Sequence, residues 1–367
     1  MIRCGVKSTG PGCEESMKGT RSGTESSRFK PSTRRGILLF SGGLDSILAA
    51  RVAQDLGIDV LALHIQHLFD AERGKGERLA AGAAAARVPL RVIDLSEEHL
   101  EVVRRPAHGY GRGMNPCLDC RVFMLKAAKR VMEEEGAQIV LSGEVVGQRP
   151  MSQHLRAMAL VAEESGLGER LFRPLSAALL PDALPVRNGW FPRERQLALR
   201  GRGRQGQVAL AASFGITSYP QPAGGCLLLE KVYAARLRDA FAHLGRDRMG
   251  IPEFLLLKNG RQFRLSDEVK VIVGRNEGEN TTLAAFRAGR VSIEPVSVMG
   301  PLTLVEGRPS PEEILTAASL AARYADRAGD EPVEMTIIDA AGERTVGVLP
   351  FATDDLRLDA WRIEPRR

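Results

Sequence analysis

The chain contains no apolar run approaching the roughly 18 residues of a membrane-spanning helix, and its start lacks the apolar core of a secretory signal. Both absences argue against a membrane or exported protein and place it in the cytoplasm. Cysteine is scarce as well. Five in 367 residues cannot form a disulfide scaffold, so in a reducing compartment they are free, metal-binding or catalytic. No internal repeat is visible, which excludes a solenoid or an array. What remains is ordinary globular composition, 44% hydrophobic and 26% charged, long enough for two or three domains with their own cores.

Charge is unevenly spread around a formal net value of +6. Residues 1–35 hold eight Lys/Arg against three Glu, whereas residues 251–367 hold 15 Lys/Arg against 19 Asp/Glu. The acidic balance of the last segment counts against that part gripping RNA alone. Between them, Arg187, Arg193, Arg195, Arg200, Arg202 and Arg204 cluster around the single Glu194. Such a stretch is either a phosphate-tracking surface or a solvated Arg-rich loop.

Residues 1–35 are rich in Ser, Gly, Thr, Lys and Arg without apolar periodicity, and are expected to form a disordered tail or an over-long start of the reading frame. Cys4 and Cys13 fall there and are discounted as site residues. From residue 36, short apolar runs at 36–40, 59–65, 89–95, 138–142 and near Leu171–Phe172 alternate with helical patterns at 46–56, 76–87, 117–135 and 151–165. This alternation predicts an α/β fold, a doubly wound parallel sheet over 36–250 that binds ligands at the carboxyl ends of its strands. An amphipathic helix is expected at 230–244. Beyond 252 the pattern reads as strands at Phe254–Leu257, Gln262–Leu265 and Val269–Gly274, then a helix at 310–328 and a hairpin near 333–350. Residues 251–367 are therefore expected to form a smaller α+β domain.

Ser41-Gly42-Gly43-Leu44-Asp45-Ser46 lies between the apolar run 36–40 and an alanine-rich helical pattern. Two glycines between a strand and a helix leave backbone N–H groups free at a helix start, which is a phosphate cradle. A Walker loop would carry Lys where this one carries Asp45. A carboxylate beside phosphates requires an intervening cation, so Asp45 implies a nucleotide bridged by Mg²⁺.

Asn115-Pro116-Cys117-Leu118-Asp119-Cys120 opens another helical pattern. With Asn115 as cap and Pro116 as first helical residue, Cys117 and Cys120 fall in the first turn, where the helix dipole favours thiolates and two sulfurs can share one metal. Cys226 follows Gly224-Gly225, a flexible approach to a ligand. Three thiolates suit an iron–sulfur cluster with one open iron, or a zinc that keeps a water. A metal-free alternative uses one cysteine as a persulfide and another to resolve it as a disulfide.

The Ser41–Ser46 loop, the Cys-x-x-Cys at 117 and 120, Ser142-Gly143-Glu144, Arg173-Pro174-Leu175-Ser176 and Cys226 together resemble the PP-loop RNA thiolation enzymes, among them the 4-thiouridine and 2-thiouridine tRNA synthetases. The resemblance covers about 36–245. It implies a fold of the adenine nucleotide α-hydrolase type and an ATP-dependent sulfurtransferase that adenylates a uridine oxygen and replaces it with sulfur. Adenylation matters because the oxygen is otherwise a poor leaving group. It further implies that Ser41, Gly42, Gly43, Asp45 and Ser46 hold ATP and Mg²⁺, and that Cys117, Cys120 and Cys226 handle sulfur. The partners so implied are tRNA and a sulfur donor, a persulfide carrier or sulfide. Relative to the bacterial 4-thiouridine enzymes, no amino-terminal RNA-binding module of comparable length is expected. The segment Val273–Asn280 is similar to part of the RNA-binding domain of NFACT proteins.

Ser142 and Gly143 are expected beside the ATP loop, and His64 at a strand end where such sheets read adenine. Arg149, Gln153 and His154 follow the fourth strand and are candidates for phosphate or base, with an interdomain ion pair and a surface histidine as the plain alternatives. Arg173 is a candidate for the transferred phosphate, Arg202 and Arg204 for RNA phosphate. Trp190-Phe191 reads as a base-stacking pair or a packing anchor. Two other functions compete with thiolation. One is a PP-loop ligase or amidotransferase that adenylates a small carboxylate, the other a nucleotide-binding RNA adaptor without turnover.

Overall fold

The computed structural model describes residues 34–70, 75–219, 225–326 and 331–364. Residues 1–33, with Cys4 and Cys13, lie outside the described residues, as does Gly224. Arg34 and Arg35 already belong to the first strand, so the fold begins ahead of the boundary expected at residue 35.

The first unit alternates β1 (Arg34–Leu39), α1 (Leu44–Asp55), β2 (Ile58–Gln66), α2 (Lys75–Ala86), β3 (Leu90–Asp94), α3 (Ser96–Arg104), α4 (Cys117–Glu134), β4 (Ile139–Ser142), α5 (Leu155–Glu164), β5 (Leu171–Phe172), α6 (Leu184–Arg187), α7 (Gln205–Ser213), α8 (Lys231–His243) and α9 (Ile251–Leu256). Its strands run parallel in the order β3-β2-β1-β4-β5. Side chains alternate across β1: Leu38 joins the core under α1 and α2, while Ile37 and Leu39 join the core under α4. Both faces are buried, which is why the strands read as continuous apolar runs. The chain leaves β1 toward β2 on one side and reaches β4 on the other, so a crevice opens between the carboxyl ends of β1 and β4.

The helix α9 corrects the strand expected at Phe254–Leu257. Gly250 N–H donates to Glu253 Oε2 at 2.8 Å and Pro252 occupies the first turn, so the run starts as a capped helix. A short apolar run cannot be told from a buried helix by periodicity. Phe254 and Leu257 pack with Phe69, Leu100, Met114, Leu228, Tyr233 and Leu237 in a cluster shared by α3, α8 and α9.

The second unit contains β6 (Arg261–Arg264), β7 (Lys270–Val273), α10 (Glu277–Ala284), β8 (Val291–Pro295), β9 (Thr303–Glu306), α11 (Pro311–Ala322), β10 (Val333–Asp339), β11 (Gly342–Val348) and α12 (Leu356–Trp361). These strands pair antiparallel in the order β11-β10-β8-β9-β7-β6. Ile314, Ala317, Ala318 and Ala321 of α11 pack on Phe263, Val271, Ile293 and Met335. The chain is thus an α/β doubly wound parallel sheet joined to a smaller α+β domain.

Candidate active site

The Ser41–Ser46 loop occupies the crevice. Gly42 has φ +73°, and a Cβ there would press on Arg78 O and Leu79 Cα of α2 at 3.3 Å, so the turn requires glycine twice over. Gly43 caps α1 without a side-chain hydrogen bond, leaving the first N–H groups of the helix pointing out of the loop. The Ser46 hydroxyl donates to Gly43 O at 2.7 Å and Ser41 Oγ lies 3.4 Å from Ser46 Oγ, fixing the loop from both ends.

The carboxylate of Asp45 is split between two situations. Oδ2 accepts from Gln148 Nε2 at 2.9 Å, while Oδ1 is buried and without a hydrogen-bond partner among the described residues. An orphaned carboxylate oxygen beside uncapped helix N–H groups is a donor set that fits a divalent cation carried by polyphosphate.

Gly143 explains why β4 ends in Ser-Gly-Glu. A Cβ at this position would lie 2.6 Å from Asp45 O and 2.9 Å from Ser46 N, so only glycine lets β4 press against the start of α1. Ser142 is buried beside it, its hydroxyl accepting from Glu144 N–H at 3.3 Å. Glu144 forms a buried ion-pair triad, with Arg121 Nε at 3.1 Å and Arg173 Nε at 2.8 Å. Burial alone would raise the pKa of Glu144, but the two guanidinium groups outweigh it and hold the carboxyl below its ordinary value.

Four expected phosphate or base contacts are corrected here. Arg173 is buried, and it gives a second donor to Met158 O at 3.1 Å, so its charge serves Glu144 rather than a ligand. Gln153 Oε1 accepts from Arg149 N–H at 3.1 Å, and His154 caps α5 by accepting from Ala157 N–H at 3.2 Å. Phe191 packs edge-on against Phe172, and Trp190 lies under Arg34 at 5.3 Å, so this pair anchors packing.

His64 is buried at the end of β2, where Nδ1 approaches Phe40 O at 2.9 Å. It latches β2 to the entrance of the loop. It also lines a cavity of about 330 Å³ with Gln66, His67, Asp70, Leu79 and Val92, beside the loop where a nucleotide base has room.

The cysteines converge a short way off. Cys117 and Cys120 are the first and fourth residues of α4. Pro116 rather than Asn115 takes the cap position, and the Asn115 amide donates to Cys117 Sγ at 2.7 Å instead. Cys226 arrives because its segment is stitched down: it bridges Asp70 in β fashion, Leu227 N–H donates to Phe69 O at 3.1 Å, and Met114 N–H donates to Leu228 O at 2.9 Å. The sulfurs are near enough that Cys117 and Cys226 each oppose ionisation of Cys120.

The expectation of acidic thiols at a helix start is overturned. Burial pushes Cys120 and Cys226 up to about 12 and raises Cys117 as well, against the pull of Arg149 and Arg121 on the last. A helix dipole is a fraction of a charge at one end, and desolvation of a thiolate exceeds it. Among the described residues no group of three or more His, Cys, Asp or Glu is arranged to hold a metal ion. The thiols approach one another without closing a metal site.

Two groups went unnoticed in the sequence. His99, buried, places Nε2 3.2 Å from Cys120 Sγ and stacks on His67 at 4.6 Å; burial lowers its pKa to about 3, with His67 adding to the effect. Arg121 pairs with Glu144. Neither carries a local motif; a helical count from Cys117 places Arg121 one turn on, whereas His99 reaches Cys120 only through the fold. Arg149 is exposed as a residue, yet its guanidinium stands within electrostatic reach of Cys117, Glu144 and Asp45 together; desolvation and then Arg121 lower its pKa.

A parallel sheet with a Ser-Gly-Gly-x-Asp loop at its switch point has the architecture of a nucleotide-binding α/β fold. Residues 32–178 match the family of the thiamine biosynthesis protein (ThiI), and residues 260–362 match the NFACT protein RNA binding domain. A probable tRNA sulfurtransferase of Thermococcus kodakarensis is 28% identical over 142 residues, 38% of this chain and 36% of that protein. A tRNA-specific 2-thiouridylase of Azorhizobium caulinodans is 31% identical over 150 residues, 37% of this chain and 38% of that protein. The chain therefore spans little more than a third of these relatives. A solved 4-thiouridine synthetase–RNA complex with bound ATP aligns at 18% identity and TM-score 0.33, covering 50% of this chain and 52% of that one. The chain resembles the PP-loop RNA thiolation family in its first unit and the NFACT RNA-binding domain in its second. No helix among the described residues is long and apolar enough to cross a membrane.

Proposed function

We propose that the chain is an ATP-dependent tRNA sulfurtransferase that makes thiouridine. The observation that carries this reading is the unpartnered Asp45 Oδ1 in the glycine loop together with Cys117, Cys120 and Cys226, which the fold gathers at the start of α4. Neither a ligase for small carboxylates nor an adaptor without turnover has a use for three converging cysteines.

In this reading Ser41, Gly42, Gly43 and Ser46 cradle the phosphates, Asp45 holds Mg²⁺, and the cavity at His64 takes the base. The uridine oxygen attacks the α-phosphorus, the bond to the β-phosphate oxygen breaks, and pyrophosphate leaves. The terminal sulfur of a persulfide on one cysteine, received as sulfane sulfur from a persulfide carrier that leaves as its thiol, then attacks the activated carbon and AMP departs. A second cysteine attacks the first, forming a disulfide and freeing thiouridine, and an external thiol reductant restores the pair. Holding both reactants in one crevice replaces an encounter with an intramolecular step. Because the three thiols close no metal site among the described residues, no step runs through an iron–sulfur cluster. We assign the nucleotide chemistry to the unit through α9 and RNA contact in part to residues 260–362, in a cytoplasmic enzyme.

The test is anaerobic incubation of the full chain with MgATP, unmodified tRNA and either sulfide or a persulfide donor, read by nucleoside mass spectrometry and pyrophosphate release. Thiouridine should form and depend on Asp45 and Cys226. Pyrophosphate release with no thiouridine from either donor would defeat the assignment.

A further inference from the structure

The six clustered arginines are not equivalent. Arg187 is neutralised by Glu169, Arg193 by Asp182 at 2.6 Å, and Arg195 by Asp55. Arg200, Arg202 and Arg204 make no side-chain hydrogen bond or ion pair with any described residue; the first two are exposed and Arg204 half-buried. Exposed guanidinium groups without a counter-charge hold mobile anions, which a polyanion displaces with a gain in entropy.

This strip is also tied to the site. Val146 pairs with Arg200 as a parallel bridge, and Gly201 N–H donates to Val146 O at 2.7 Å. Ser176 clips the same two segments, its hydroxyl donating to Leu199 O at 2.6 Å and accepting from Val146 N–H at 3.1 Å. Two residues beyond Val146, Gln148 holds Asp45. Immediately after Arg204, α7 begins without a side-chain cap, adding uncapped N–H groups to the same edge.

We propose that Arg200, Arg202 and Arg204 form a track for an RNA phosphodiester backbone leading to the Asp45 loop, and that Arg187, Arg193 and Arg195 take no part. The proposal rests on the RNA-thiolation reading and names where the RNA runs.

The experiment measures binding of unmodified tRNA to the full chain across a salt series. The triple variant R200A/R202A/R204A should lower the log–log salt slope by about 2 to 3, about 0.7 to 0.9 per lost phosphate contact, and weaken binding at least tenfold at low salt. R187A/R193A/R195A should change the slope by less than about 1, and the lysine triple R200K/R202K/R204K should restore most of it. Should the alanine triple fail to fold, Arg200→Ala and Arg202→Ala singly should each remove a slope of about 0.7 to 0.9. An unchanged slope, or equal losses in the two alanine triples, overturns the track. So does loss of ATP affinity without a change in the RNA slope, which would give the strip to nucleotide phosphates. Thiouridine formation by the unaltered chain is read separately. A chain that thiolates normally while the slopes stay equal disproves the track alone, and one that shows the slope loss without thiolating disproves the activity alone.

Discussion

Gly43→Ala separates a glycine the ligand needs from a glycine the fold needs. Gly43 has φ −85° and ψ 165°, a conformation open to any residue, and a Cβ there would meet only Ser41 Oγ, at 3.5 Å. Its replacement should therefore cost only the modest preference of a helix cap for glycine over alanine, under about 1 kcal/mol, a melting shift of about 2–4 °C at most. The new methyl stands where the phosphate cradle lies, so ATP affinity should fall at least tenfold, about 1.4 kcal/mol or more. Gly143→Ala makes the opposite case. Its Cβ would sit 2.6 Å from Asp45 O, backbone against backbone, and the strain of forcing β4 off α1 should cost about 1–3 kcal/mol of stability. Thermal unfolding and nucleotide titration of the two variants side by side decide the matter. Undiminished ATP binding by Gly43→Ala, with its stability intact, would refute the cradle.

Glu144→Gln leaves Arg121 and Arg173 facing each other without a counter-charge, and should destabilise the protein by about 3–5 kcal/mol in urea titration at neutral pH; a loss under 1 kcal/mol would show that the triad is dispensable. His99 takes up a proton near pH 6.5 when unfolded but only near 3 in the fold, so the unfolded state binds more protons between these values. Stability should accordingly be full above pH 6.5 and fall on acidification toward pH 3, by a total of order 5 kcal/mol, with His99→Leu flattening the curve in that window. Asp45→Asn should bind RNA as the unaltered chain does while releasing no pyrophosphate, measured by a coupled phosphate assay.

The nucleotide loop was legible because its signal is local. Six consecutive residues between a strand and a helix specify free N–H groups and a carboxylate, and the alternation of apolar runs specified the five parallel strands within a residue or two. α9 was misread because four apolar residues in a row carry no period; its helix is started by the backbone bond between Gly250 and Glu253. The helices α7 and α10 likewise lacked an apolar stripe strong enough to be predicted.

Roles of charged groups were a different matter. Arg149 and Arg173 look alike in sequence, both following strands of the same sheet, yet one is exposed while the other is buried and committed to Glu144. The ionisation of the cysteines, too, turned on burial that no spacing encodes. By itself the sequence determined the elements and the chemistry available at their ends, since backbone geometry and local apolar period act over a few residues. Only the tertiary structure decided which of those groups meet, which are neutralised and which stay open to a ligand, because desolvation and Coulomb interaction depend on distances between residues far apart in the chain.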